Sequence, residues 1–141
     1  MKKKILIISA NYYQNISINL VKGIEKILLN KTNKKKYYIK KLNVPGVFEI
    51  PVVISKNIKK FDAFICIGGV IKGKTPHFDY ISRTTIDAIM YLAITSKKPI
   101  GNGIITCFNK KQATERSNLK NKKNKGKEAA KAVLDVLNLY E

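Results

Sequence analysis

The chain has 141 residues, 45% of them hydrophobic, and a formal net charge of +19 from 28 basic against 9 acidic side chains. That length and apolar content fit one globular domain over residues 1–141 and exclude a disordered chain, and no apolar run approaches the roughly 20 residues of a membrane span. The charge is almost all lysine, with Arg83 and Arg116 the only arginines among many Asn and Ile residues. This is the signature of an A/T-rich coding sequence, whereas readers of nucleic acid lean on the bidentate arginine fork, so neither a nucleic-acid nor a membrane partner is expected.

Three lysines after Met1 lead into Ile5-Leu6-Ile7-Ile8. That run is too short for a signal-peptide core and lacks a small-residue cleavage site, so a cytoplasmic protein is expected. Residues 4–10 read as a buried strand and 11–15 as a connection. Residues 16–29 have helical spacing, with Ile16, Leu20, Ile24, Ile27 and Leu28 on one face and Lys22, Glu25 and Lys26 opposite. A lysine-rich turn, 31–36, precedes a second strand at 37–44. Pro45-Gly46 is a turn signal, and Pro51 is tolerated only in the first turn of a helix. A helix is therefore expected from near Phe48, turning Val52, Val53, Ile54 and Ile58 inward.

Residues 61–69 form the third expected strand. It runs into the glycine-containing stretch 69–77, and a long helix follows over 78–95, with Ile81, Thr85, Ala88, Ile89 and Leu92 on its core face. Pro99 opens a fourth strand, 100–107. Residues 112–116 suit a short helix, 118–127 a basic loop, and 128–139 a final helix packing through Ala129, Ala132, Val133, Val136 and Leu137. Strand and helix alternate four times, which predicts an α/β chain with a four-stranded parallel sheet between helical layers, a three-layer α/β/α sandwich. In that architecture ligands bind at the carboxyl ends of the strands. The unusual segments converge there: residues 11–14, 45–49, 69–77 and 108–125 each follow a strand.

Within 69–77, glycines let backbone N–H groups approach an anion, and the following helix start adds partial positive charge. Lys72, Lys74 and Thr75 strengthen that reading; an ordinary strand-to-helix turn is the plain one. Residues 68–75, GGVIKGKT, match a P-loop pattern literally, but Val70-Ile71 and the immediate Pro76-His77 make a nucleotide cradle unnatural. His77, the only histidine, stands beside this turn as a candidate general acid/base. Tyr12 and Tyr13 could stack on a flat heterocycle or simply pack. Glu49 could accept from a polyol or merely begin a helix. Arg116 could clamp a phosphate, a job lysine does less well, or lie on the surface. Cys66 and Cys107 have no CxxC partner and read as buried, reduced thiols. No residue cluster has metal-ligand spacing, so no metal is expected.

Taken together, NVPGVFEIP (43–51), GGVIKGKTPHFDYIS (68–82), PIGNGIIT (99–106), QATER (112–116) and NKG (124–126) resemble the lumazine synthase family, in order and along essentially the whole chain. These enzymes make 6,7-dimethyl-8-ribityllumazine, the riboflavin precursor, from 5-amino-6-(ribitylamino)uracil and 3,4-dihydroxy-2-butanone 4-phosphate. The resemblance implies a flavodoxin-like fold, two small-molecule substrates and no cofactor. It implies that Tyr12 stacks on the pyrimidine and that Val47, Phe48 and Glu49 contact the aminouracil and its ribityl chain. Gly69, Val70, Ile71 and Asn102 would line the pyrimidine, Lys74, Thr75 and Arg116 would hold the phosphate, and His77 would transfer protons. Lys125 aligns with a lysine near the site. The family forms homopentamers, some stacked into sixty-subunit shells, with Tyr12, Glu49 and His77 from one subunit facing Asn102 and Arg116 of the next.

This chain departs from the family pattern in placing Lys74 where an acidic or small residue is common. Its stretch from Arg116 to Gly126 is also slightly longer, and little precedes its first strand. Three rival readings make distinct demands. An archaeal-type riboflavin synthase would act on lumazine alone. A non-catalytic flavin- or nucleotide-binding module would bind tightly without turnover. A nucleic-acid binder would show steep salt dependence.

Overall fold

The computed structural model describes residues 2–141. Its strands are β1 (Lys3–Ala10), β2 (Tyr37–Val44), β3 (Ala63–Ile71) and β4 (Ile100–Cys107). Its helices are α1 (Gln14–Leu28), α2 (Ile50–Asn57), α3 (His77–Ser96), α4 (Lys110–Ser117) and α5 (Lys125–Leu139). The strands form one parallel sheet in the order β2-β1-β3-β4. Helices α1, α4 and α5 cover one face and α2 and α3 the other, so the expected three-layer α/β/α sandwich, flavodoxin-like in strand order, is the observed one.

β1 lies inside the sheet, and its side chains alternate between two cores. Ile5 and Ile7 join Leu20, Ile24 and Val133 under α1 and α5. Leu6, Ile8 and Ala10 join Ile50, Ile54 and Ile89 under α2 and α3. All of Ile5, Leu6, Ile7 and Ile8 are 0% exposed, which is why the strand reads as an unbroken apolar run without alternation. Each such side chain contributes about 2 kcal/mol by burial. At Gly101 a methyl group would overlap the Ala129 carbonyl, so α5 rests directly on β4.

Three local readings change. β3 extends two residues past the expected end at Gly69, so Val70 and Ile71 are also strand residues, paired with Thr106 and Cys107 of β4, while Gly69 pairs with Ile105. After β2 the chain makes a 3₁₀ turn, Val47–Glu49, before α2, and Ile50 and Ile54 point inward while Val52 faces out. α5 starts three residues earlier than expected and buries Gly126, Ala129, Ala130, Val133 and Leu134; Ala132 and Val136 are exposed. The contact stripe of α5 combines Val133 and Leu134 with alanine and glycine, whose small side chains carry little hydrophobic signal.

Helix α3 ends on Lys97, which holds the left-handed conformation at φ 59°. A side chain there is strained and glycine is not. Lys97→Gly should raise stability by about 0.5–1 kcal/mol, read as a higher urea midpoint at unchanged slope; an unchanged midpoint would contradict the strain.

Candidate active site

The connections at the carboxyl edge are held by short ties. After β1, the Asn11 N–H donates to Val44 O at 2.9 Å, and the buried Ser17 hydroxyl donates to the Ala10 carbonyl. These two ties bracket the turn that carries Tyr12 and Tyr13. Their rings meet edge to face, centroids 4.9 Å apart and planes at 86°. Tyr12 is 75% exposed, whereas Tyr13 is turned inward against the α1/α5 core. Burial, then the neighbouring Tyr12 and Cys107, push the Tyr13 phenol pKa up, so it stays a neutral hydrogen-bonding group. After β3, the Lys72 N–H donates to Cys107 O at 2.9 Å, which extends the sheet by one bond before the turn.

Between the ends of β1 and β3 lies a cleft of about 480 Å³. Tyr12 and Tyr13 form one wall, Gly46, Val47, Phe48 and Glu49 a second, and Gly69, Val70 and Ile71 the strand-edge floor. Gly73 and Thr75 of the following turn and His77, Phe78 and Ile81 of the first turns of α3 close it. The β1/β3 boundary is where the strand order reverses, the usual ligand crevice of such sheets. His77 is exposed, opens α3, and has its backbone N–H 3.4 Å from Thr75 Oγ1. The amino end of a 20-residue helix thus adds partial positive charge beside Gly73 and Thr75.

A second cleft, about 410 Å³, opens at the far edge of the sheet and shares no lining residue with the first. Asn102 and Thr106 of β4, Phe108, Gln112 and Arg116 of α4, Lys125 of α5 and Ile86 of α3 line it. Asn102 Oδ1 accepts from the Ile104 N–H at 3.0 Å, which leaves its amide N–H groups for a ligand. Lys125 Nζ is 3.4 Å from Glu128 Oε1. Phe108 lies beside both clefts: its ring centroid is 6.5 Å from that of Phe78 and 5.5 Å from Lys72 Nζ.

One chain therefore brings together Tyr12, Val47, Phe48, Glu49, Gly69, Val70, Ile71, Thr75 and His77, and separately Asn102, Arg116 and Lys125. Lys74 is exposed on the turn and lines neither cleft. The P-loop reading of 68–75 fails on geometry, because its first half is β3 strand and cannot wrap a phosphate. Sequence reasoning missed Phe78 and Phe108 as cleft residues. Phe108 had one usable signal, a large aromatic directly after a strand on the binding edge. Among the described residues no group of His, Cys, Asp or Glu is placed to hold a metal ion, and no helix is long and apolar enough to cross a membrane.

Fold and clefts define the class: a doubly wound α/β protein with a heterocycle-sized crevice at the switch point and a cationic cleft at the sheet edge. Residues 2–141 match the family model described as 6,7-dimethyl-8-ribityllumazine synthase. A protein of that name from Campylobacter curvus is 39% identical over 142 residues, covering 99% of this chain and 90% of that protein. Those from Campylobacter concisus and Campylobacter jejuni are each 40% identical, covering 99% and 96% of this chain and 89% and 88% of theirs. The chain belongs to the 6,7-dimethyl-8-ribityllumazine synthase family.

Cys66 and Cys107 are both free and buried, and burial pushes both thiol pKa values up. Cys107 borders the second cleft, and Cys66 is 0% exposed. Folded protein should therefore react slowly with a thiol reagent at mildly alkaline pH, through Cys107 alone. Rapid modification of two thiols without denaturant would contradict this burial.

Proposed function

We propose that the protein is a 6,7-dimethyl-8-ribityllumazine synthase, condensing 5-amino-6-(D-ribitylamino)uracil with 3,4-dihydroxy-2-butanone 4-phosphate and releasing phosphate and water. The observation that carries this reading is the first cleft: in a chain matching the family over residues 2–141, Tyr12, Glu49, Thr75 and His77 converge on one crevice. Catalysis needs an amine held against a ketone, and holding two reactants in line supplies much of the rate. The Tyr12 ring stacks on the pyrimidine. The strand edge from Gly69 to Ile71 meets its polar rim, with Asn102 at a further position. Val47 and Phe48 enclose the ribityl chain and Glu49 accepts from its hydroxyls.

The uracil amine attacks the ketone carbon, and loss of water gives an imine. His77 moves the protons of this step and of the elimination that expels phosphate; ring closure then loses a second water. Thr75, the α3 amino end and Arg116 hold the phosphate, first as an anchor and then as the leaving group. Lys74 lies on the turn between Gly73 and Thr75 and adds positive charge toward the phosphate, while Lys125 lines the second cleft with Arg116 and adds charge there. The high positive charge of the chain favours the anionic substrate.

Arg116 and Asn102 line a different cleft from His77, so one chain holds two half-sites. We assign the complete site to the junction of neighbouring copies in a homopentamer. Supporting this, α3 leaves Tyr80, Met90, Tyr91 and Ile94 more than half exposed, an apolar surface that assembly would cover. The free cysteines suit a reducing compartment, and we place the single-domain enzyme in the cytoplasm.

Mixing the protein with both substrates and following lumazine fluorescence tests the activity; no product above the uncatalysed background would end the assignment. His77→Ala should lower kcat by about 10²–10⁴-fold. Arg116→Ala should raise the KM for the butanone phosphate by on the order of 10- to 100-fold, and an unchanged KM would remove Arg116 from the site.

A further inference from the structure

Asn124, the residue before α5, is 0% exposed, and its whole side chain is engaged. Its Oδ1 accepts from the Lys127 N–H at 3.1 Å, capping α5. Its Nδ2 donates to Ser117 O at 2.9 Å and lies 3.4 Å from Asn118 O and 3.5 Å from Asn19 O. One amide thus touches the end of α4, the start of α5 and the side of α1. The space around it is shaped for it: a methyl on Gly23 would overlap Asn124 Oδ1, and a methyl on Gly126 would overlap the Leu20 carbonyl.

The chain positions give this contact its meaning. Ser117 directly follows Arg116, and Asn124 directly precedes Lys125. The Ser117–Asn124 bond therefore joins the backbones of the two cationic residues lining the second cleft. Helix α4 needs such a tie. It has eight residues and buries only Ala113 and Ser117, too little apolar surface to set its angle. Its amino end is fixed by Asn109 and Gln112, whose side chains accept from the Gln112 and Phe108 N–H groups at 2.9 and 2.8 Å. Its carboxyl end, where Arg116 sits, is fixed from the α4–α5 connection. Asn121 Nδ2 donates to Glu115 O at 3.1 Å, Lys127 Nζ to Leu119 O at 2.6 Å, and Asn124 to Ser117 O. Only Asn124 among these three is fully buried.

We propose that Asn124 is a positioning residue for the phosphate subsite, holding Arg116 and Lys125 at a fixed separation through the Ser117 carbonyl. This rests on the phosphate role assigned to Arg116 above. A plain helix cap would need only the Oδ1 acceptor. Positioning needs the Nδ2 donor too, and the two are separable. Asn124→Asp keeps the cap acceptor and sets a carboxylate against the Ser117 carbonyl, so the tie is lost. Asn124→Ser also caps but is too short to reach Ser117, and it takes the place of the aspartate variant should that one not fold.

The test is calorimetric titration of inorganic phosphate into the assembled wild type, Asn124→Asp, Asn124→Ser, Arg116→Ala and the Asn124→Asp/Arg116→Ala double variant, with assembly checked by circular dichroism and light scattering. Loss of alignment should weaken phosphate binding by on the order of 10-fold or more in both Asn124 variants. That loss should be much smaller in the Arg116→Ala background, because Asn124 acts chiefly through Arg116. In turnover, the KM for the butanone phosphate should rise while that for the aminouracil stays. Wild-type phosphate affinity in folded Asn124→Asp or Asn124→Ser, or an equal loss with and without Arg116, would overturn the inference. Arg116→Ala binding phosphate as well as wild type would overturn the underlying phosphate role as well. A wild type that binds no phosphate would do the same.

Discussion

Everything at the binding edge follows from where the chain turns round in the sheet. β1 is laid down inside, β2 pairs on one side of it and β3 returns on the other. Right-handed crossovers then send α1 to one face and α2 to the other. The chain leaving β1 and the chain leaving β3 diverge, and the gap between them has a strand edge for a floor. No special loop is needed to make the crevice. It exists because four parallel strands end at one edge, and it stays open because β1 is packed on both faces by side chains with no exposure at all.

Precision at that edge comes from a few hydrogen bonds and not from long loops. The Tyr12–Tyr13 step is pinned at Val44 and Ala10, and the chain leaving β3 is pinned to β4 through Lys72 and Cys107. The sheet edge carrying Arg116 is built differently. There a short, poorly buried helix is held by side-chain amides at both ends. The aromatic crevice is thus part of the sheet, while the cationic cleft is attached to it. Placing the two on adjacent copies lets each be held by its own scaffold and makes the complete site depend on assembly.

The fold was legible because hydrophobic period and strand length agree here. β2 and β4 occupy the expected residues, and the burial of Ile16, Leu20, Ile24 and Leu28 follows their helical spacing. The first cleft was legible too, since residues 11–14, 45–49 and 69–77 all follow strands. Less could be read where polar or small residues do the structural work. Val70 and Ile71 looked like loop because glycines at 68, 69 and 73 mark turns, yet both pair within β3. Ala130 and Gly126 join Ala129, Val133 and Leu134 in the contact of α5 with almost no hydrophobic signal of their own. Lys74 was singled out by its position in a motif, and in the single chain it is exposed on the turn without lining the cleft. Asn124 was one letter of a three-residue match, and its burial depends on Gly23, a hundred residues earlier, leaving room for it.

The most direct measurement of a site shared between copies is complementation. His77→Ala and Arg116→Ala chains are unfolded, mixed in equal amounts, refolded together and assayed at butanone phosphate far below the raised KM of Arg116→Ala, where each variant alone turns over slowly. In a ring of randomly mixed chains, about a quarter of the junctions pair an intact His77 side with an intact Arg116 side. The expected result is therefore recovery to about a quarter of wild-type activity per site. Activity no greater than the mean of the two refolded variants would mean that His77 and Arg116 serve the reaction from the same chain, and would contradict the shared site.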